Sequence, residues 1–192
     1  MASTLQEKKV AILVTDGFEE VELTRPRQAL QEAGADTKVV SPKSGKVKGW
    51  NQTEWGNEVQ VDVELKSADP AQFDALLLPG GVMNPDSLRM DPNAVRFARH
   101  FYDAGKPIAS ICHGPWMLVE ADIVRGLTVT SWPSLKTDIK NAGGNWMDKE
   151  VITESGIVTS RKPDDIPAFN REMISLFAAG TAGGRKPQRK IA

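Results

Sequence analysis

The sequence predicts an α/β fold, a mostly parallel sheet with helices on both faces and a small antiparallel excursion at one edge. Three observations carry this. Strand-length runs at residues 10–14, 73–78 and 106–111 are close to continuously apolar rather than alternating, as strands buried on both faces require. Helical patterns separate them. Each run ends in a short loop of chemically useful residues: Thr15-Asp16-Gly17, Pro79-Gly80-Gly81 and Cys112-His113-Gly114. In a parallel sheet such loops gather on one rim, beyond the C-terminal strand ends.

The elements follow in order. After the strand at 10–14, a helix is expected from about 20 to 33, with Pro26 in its first turn and Gly34 as its stop. A second strand, 37–40, closes at Ser41-Pro42. Residues 46–65 alternate polar and apolar (Val59, Val61, Val63, Leu65), which suits the edge excursion. The strand at 73–78 runs into Pro79-Gly80-Gly81. Asp91-Pro92 opens a helix that Gly105 ends. Then come the cysteine strand, a helix with Pro115 in its first turn, a short strand at 127–130 and a helix over 134–142. Strands at 151–153 and 157–160 pair across Glu154-Ser155-Gly156, and a helix over 166–177 finishes the fold. One domain is expected over 1–192, with 1–7 and about 181–192 as flexible tails.

Composition narrows the function. A net charge of −1 and a pI near 6.2 give no general attraction to nucleic acid or to an anionic membrane. A single cysteine excludes an internal disulfide and suits a reducing compartment. No signal peptide or membrane-spanning run is visible, so a cytoplasmic location is expected. One cysteine and two histidines offer no zinc set, and no phosphate-binding glycine motif occurs, so neither metal nor cofactor is expected.

Cys112 is the leading candidate. It sits on a strand-to-helix turn, where the helix N-terminus and free N–H groups favour a thiolate nucleophile. The alternative is a small buried hydrophobe. His113 is the adjacent candidate base, although neighbours in a tight turn can point apart. Gly80-Gly81 allows close backbone approach, and the N–H groups of Gly81 and His113 would form an oxyanion hole; otherwise the pair is a plain strand-ending turn. Three acids, Glu19, Glu20 and Glu22, follow the first strand, a cluster that elsewhere reads as a solvated helix face. Trp116 and Trp132 read as core or interface residues before pocket walls, and Trp50 and Trp55 as assembly residues. Arg161 has the reach for an anionic group.

Four segments together resemble the PfpI family of the ThiJ/PfpI superfamily. They are Thr15-Asp16-Gly17-Phe18-Glu19-Glu20-Val21-Glu22, the run from Phe73 into Pro79-Gly80-Gly81, Gly105 to Pro115 around Cys112-His113-Gly114, and the stretch from Thr159 to Glu172. The resemblance covers about residues 8–178. It implies a flavodoxin-like sandwich, dimers that often assemble into hexamers, and a strained nucleophilic cysteine. Members are described as intracellular proteases, glyoxalases, deglycases and stress proteins. The family pattern Gly-x-Glu-x-x-Glu, here Gly17 to Glu22, points to Glu22 as the carboxyl that meets the cysteine sulfur. A protonated Glu22 would then donate to the thiolate and hold it deprotonated. The resemblance also places an acid, matched here by Asp86, on the histidine of the neighbouring subunit; the other reading of Asp86 is a turn or helix cap. The expected function is a cofactor-free cysteine hydrolase of reactive-carbonyl adducts or small peptides. The alternative is a stress sensor whose Cys112 is oxidised, or a chaperone-like protein.

Overall fold

The computed structural model describes residues 4–180. In chain order its elements are β1 (Lys9–Leu13), β2 (Phe18–Glu19), α1 (Glu20–Glu32), β3 (Asp36–Ser41), β4 (Lys46–Asn51), β5 (Glu54–Gln60) and β6 (Val63–Glu64). Then follow β7 (Ala75–Leu78), α2 (Met83–Leu88), α3 (Pro92–Asp103), β8 (Ile108–Ile111), α4 (Pro115–Glu120) and β9 (Thr128–Val129). The chain ends through α5 (Lys136–Asn141), β10 (Asn145–Trp146), β11 (Val151–Glu154), β12 (Ile157–Ser160) and α6 (Ile166–Ala179).

The central sheet has the order β11-β12-β8-β7-β1-β3-β6, parallel except for β11. The alternation of side chains across it explains the apolar runs. In β1, Ala11 and Leu13 join the core on one face, while Val10 and Ile12 join the core on the other. Leu76 and Leu78 of β7 divide from Ala75 and Leu77 in the same way. One face is closed by Phe97 and Phe101 of α3 and Leu118 of α4. Leu23 and Leu30 of α1, with Phe169 and Phe177 of α6, close the opposite face. Each of these large side chains contributes about 1.5–3 kcal/mol by leaving water. The result is the flavodoxin-like α/β sandwich.

Topology fixes where ligands bind. From β1 the chain steps to β3 and β6 on one side, then returns to β7, β8 and β12 on the other. The switch between β1 and β7 opens a crevice at their C-terminal ends. The loops after β1, β7 and β8 all reach it. The excursion is a second sheet, β2-β4-β5, in which β2 runs parallel to β4 and β5 returns antiparallel. Two hydrogen bonds tether it to the loop after β1. Asp16 accepts the Lys48 amide at 2.8 Å, and the Gly17 amide donates to the Lys48 carbonyl at 2.8 Å.

Three local expectations are corrected. Pro26 lies in the second turn of α1 rather than its first, because the helix already starts at Glu20, directly after Phe18–Glu19 pair with β4. Residues 4–7 do not form a tail: Leu5 is fully buried, and its amide donates to the Ala33 carbonyl at 2.9 Å. Asp86 lies inside a helix, α2 (Met83–Leu88), rather than in a turn or cap, with Pro85 within the first turn, where its missing N–H has no helical acceptor to lose. The expected tail at about 181–192 lies outside the described residues. Among the described residues no helix is long and apolar enough to cross a membrane.

Candidate active site

Cys112 follows β8 immediately and has φ +62, in the left-handed region that non-glycine residues avoid. The turn is held from both sides, since the Cys112 amide donates to Ser160 O at 3.0 Å and its carbonyl accepts from Trp132 N at 2.9 Å. This is the strained strand-to-helix turn of a nucleophile elbow, with Pro115 opening α4 beyond it. Cys112 is 7 % exposed at the floor of a cavity of about 540 Å3.

His113 does face the sulfur. Its Nδ1 lies 3.2 Å from Cys112 Sγ, and Nε2 is 3.4 Å from Ser134 Oγ. Burial pushes the imidazole down to about 4, so the ring is neutral near pH 7. Trp132 stacks on it with ring centroids 5.9 Å apart and planes at 24°, and Trp116 leans on it at 5.2 Å. Trp132 therefore walls the cavity rather than filling the core. Among the described residues no carboxylate is hydrogen-bonded to His113.

Glu22 is fully buried beneath the loop after β7. Its Oε2 accepts the Gly80 amide at 2.9 Å, while Oε1 has no hydrogen-bond partner. Burial is the main cause that pushes this carboxyl up to about 8, against the hydrogen bonds with Cys112 and Gly80 that pull it down. The thiol was expected to be depressed, and the structure corrects this. Burial, then the charge of Glu22, push Cys112 well above an ordinary thiol, opposed only by the N–H groups of Gly81 and His113. The two groups share one problem: a pair so close in a dry site carries at most one negative charge near neutrality. With the proton on Glu22, repulsion becomes an O–H donated to sulfur.

The glycines are required here. A Cβ on Gly80 would lie 2.5 Å from Glu22 Oε2 and 2.8 Å from Cys112 Cβ. Gly81 has φ +75, and a Cβ there would run into the Gly17 carbonyl and the Glu19 amide. The N–H groups of Gly81 and His113 both face the Cys112 sulfur.

The three acids of the first loop separate cleanly. Glu22 turns inward. Glu20 is structural, accepting Asn57 N at 2.6 Å and Asn57 Nδ2 at 2.9 Å to anchor β5. Glu19 lines the cavity beside Trp50, its register partner across β2 and β4. The pairing of β2 with β4 places Trp50, read from the sequence as an assembly residue, in the cavity wall. Arg161 does not reach the cavity, because Asp165 (2.8 and 3.1 Å) and Asp148 (2.7 Å) occupy its guanidinium. Asp86 is exposed on α2 and does not line the cavity of its own protomer. Among the described residues no group of three or more His, Cys, Asp or Glu is placed to hold a metal ion.

Asn84 is a residue that sequence reading missed. It is fully buried, its Oδ1 accepts Thr15 N at 2.8 Å, and its Nδ2 donates to the carbonyls of Pro79 and Gly80 at 3.1 Å each. It therefore locks the loop after β1 to the loop after β7. Asn84→Ala should lower the unfolding free energy by about 1–3 kcal/mol, since the Thr15 amide and the Pro79 and Gly80 carbonyls lose the Asn84 side chain. Urea denaturation measures this, and an unchanged midpoint would contradict the role.

A cysteine on a nucleophile elbow at the switch point of a parallel sheet, with an imidazole and a buried carboxyl at its sulfur, defines a class of cysteine-centred α/β proteins. Within that class, the chain belongs to the DJ-1/PfpI family, whose profile matches residues 8–176. It is 43 % identical over 173 residues to protein/nucleic acid deglycase 2 of Escherichia coli (strain K12), covering 90 % of this chain and 99 % of that one. It is 44 % identical over 172 residues to general stress protein 18 of Bacillus subtilis (strain 168), covering 88 % and 98 %. Among solved structures, a two-domain protein of Anabaena variabilis with DJ-1/ThiJ/PfpI-like and ferritin-like domains superposes with a TM-score of 0.84 at 34 % identity. That match covers 96 % of this chain and 51 % of the larger protein.

Proposed function

We propose that this protein is a cofactor-free cysteine hydrolase of reactive-carbonyl adducts, with small peptides as a second substrate class, acting in cytoplasmic stress protection. The observation that carries the reading is Cys112 itself, strained at φ +62 on the cavity floor with His113 Nδ1 3.2 Å from its sulfur. The relatives named as a deglycase and a stress protein support the same direction.

In this reading Cys112 Sγ forms a bond to the carbonyl-derived carbon as that carbon's bond to the carrier nitrogen breaks. The thiol proton passes through His113 to the leaving amine. Water then cleaves the S–C bond: its hydroxyl stays on carbon and its other proton returns to sulfur. Adduct plus water gives free amine and hydrated carbonyl fragment. On a peptide the attack is at a carbonyl carbon, and the Gly81 and His113 N–H groups hold the oxyanion.

Among the described residues no acid orients His113. Asp86 is exposed on α2, beside the exposed Val82 and Met83, which line the cavity mouth. In our reading a second copy of the chain covers this face, as a homodimer or a hexamer built from dimers, and supplies Asp86 to the partner's imidazole. Release of amine from a methylglyoxal–amine adduct tests both claims. Wild type should turn over; Cys112→Ala and Asp86→Ala should each be inactive or nearly so. Mixed subunits of the two variants should regain activity through hybrid sites. Absence of turnover in wild type overturns the hydrolase, and full activity of Asp86→Ala overturns the shared site.

A second reading rests on the unpartnered Glu22 Oε1. Peroxide would oxidise the sulfur to sulfenic or sulfinic acid, itself reduced to water, and Glu22 O–H would donate to the new oxygen. In that case intact mass gains oxygen at Cys112 and Asp86→Ala changes nothing. A chaperone-like activity would survive Cys112→Ala.

A further inference from the structure

We propose that Glu19 and Trp50 form a cation-receiving corner of this cavity, so that the site prefers adducts carried on a guanidinium over those carried on a neutral group. The proposal rests on the hydrolase reading above and names its substrate class.

The corner is built, and not merely acidic. Glu19 and Trp50 are register partners on β2 and β4, so their side chains project side by side, and both line the cavity. Gln52 fixes the two together. Its backbone N–H donates to the Glu19 carboxylate, and its carbonyl accepts Trp50 Nε1 at 2.8 Å. Gln52 adopts φ +58 to do so, a left-handed conformation held in a turn of β4–β5. Trp55 packs edge-on against Trp50, centroids 5.4 Å apart at 83°, which holds the indole plane.

Charge points the same way. Among the described residues, none that lines the cavity is Lys or Arg. Glu22 is sealed under Gly80 and His113 is neutral, so among the described residues Glu19 is the one lining carboxylate open to the cavity. Among the described residues no lysine or arginine forms an ion pair with it, whereas its neighbour Glu20 is taken up by Asn57. Glu19 is half-buried, so a cation that enters meets a partly dehydrated carboxylate. A guanidinium suits this corner better than an ammonium. Its plane stacks on an indole while its N–H fork reaches a carboxylate, and it keeps its charge when it carries an adduct.

The test compares methylglyoxal adducts of Nα-acetylarginine amide and of Nα-acetylcitrulline amide, its neutral nitrogen-carried counterpart. Wild type should favour the arginine adduct in kcat/KM, and Glu19→Gln should reduce that ratio by about tenfold, the scale of one charge-assisted hydrogen bond. The substitution keeps an oxygen to accept the Gln52 N–H. A ratio unchanged in Glu19→Gln overturns the proposal. A second readout needs no turnover: the concentration of Nα-acetylarginine amide that halves alkylation of Cys112 by iodoacetamide should rise about tenfold in the variant. Protection by the guanidinium without turnover of either adduct would sink the hydrolase and leave the corner standing. Turnover without any Glu19-dependent protection or selectivity would sink the corner alone.

Discussion

Cys112→Ala should lower turnover of the adduct by at least about a thousandfold and leave the fold as stable as before, to within about 1 kcal/mol. The first half follows from the nucleophilic role proposed for Cys112. The second half is the more informative. Cys112 is held at φ +62, a region that costs an L-residue about 1–2 kcal/mol. Its thiol is also buried against a carboxyl that destabilises its charged form. Alanine loses some packing in the core around Ile111 and Val158 but also removes that electrostatic conflict. Cys112→Gly sharpens the point, since glycine accepts the left-handed turn freely. It should be equally inactive and no less stable. Urea unfolding beside the turnover assay decides this. A loss of several kcal/mol in both variants would make Cys112 a packing residue and remove the case for a stored strain.

The second prediction concerns Glu22 and pH. Its folded-state value, about 8, lies above the ordinary carboxyl value of 4.5, so the folded protein binds this proton more tightly than the unfolded chain. Stability from this group is complete below 4.5 and falls as pH rises toward 8. His113 works in the opposite sense. It is pushed down from 6.5 to about 4, so its contribution improves as pH rises through that interval and is level above 6.5. Burial and the neighbouring Glu22 push Cys112 up from an ordinary thiol, away from this range. Glu22 is therefore the main titrating group in the window from pH 6.5 to 8. Unfolding free energy should fall by about 2 kcal/mol across it, the product of 1.5 pH units and roughly 1.4 kcal/mol per unit. In Glu22→Gln the same interval should be flat. A wild-type profile that is level or rising there would mean that Glu22 is ionised in the folded protein.

Much of this architecture was legible in the sequence because the central strands are apolar on both faces, and their loops carry the distinctive residues. β1, β7 and β8 could be read from runs such as Ala75-Leu76-Leu77-Leu78 without knowing their partners. β10, two residues long, could not, because it exists only through its pairing with β9. The segment Val82-Met83-Asn84-Pro85-Asp86 looks like a turn by composition, yet it opens a helix whose Asn84 binds backbone from two loops. The same limit applied to Glu19 and Trp50. They lie 31 positions apart and meet through a parallel pairing that leaves no local pattern. Cys112, His113 and Gly81 were found because their chemistry depends on one turn each. Glu22 needed the family resemblance, because an acid among acids gives no sign of facing inward.

The cavity wall and the cavity floor belong to different parts of the molecule. Cys112, His113 and Gly81 ride on the central sheet, whereas Trp50 and Gln52 ride on a ribbon anchored by Asp16 and Glu20. Such a division makes the ribbon an exchangeable module. Descendants of this chain could acquire new substrates by rewriting β4 and β5, with the chemistry inherited intact, so breadth of activity among relatives would be a natural product of the design of the fold rather than of change in its reactive centre.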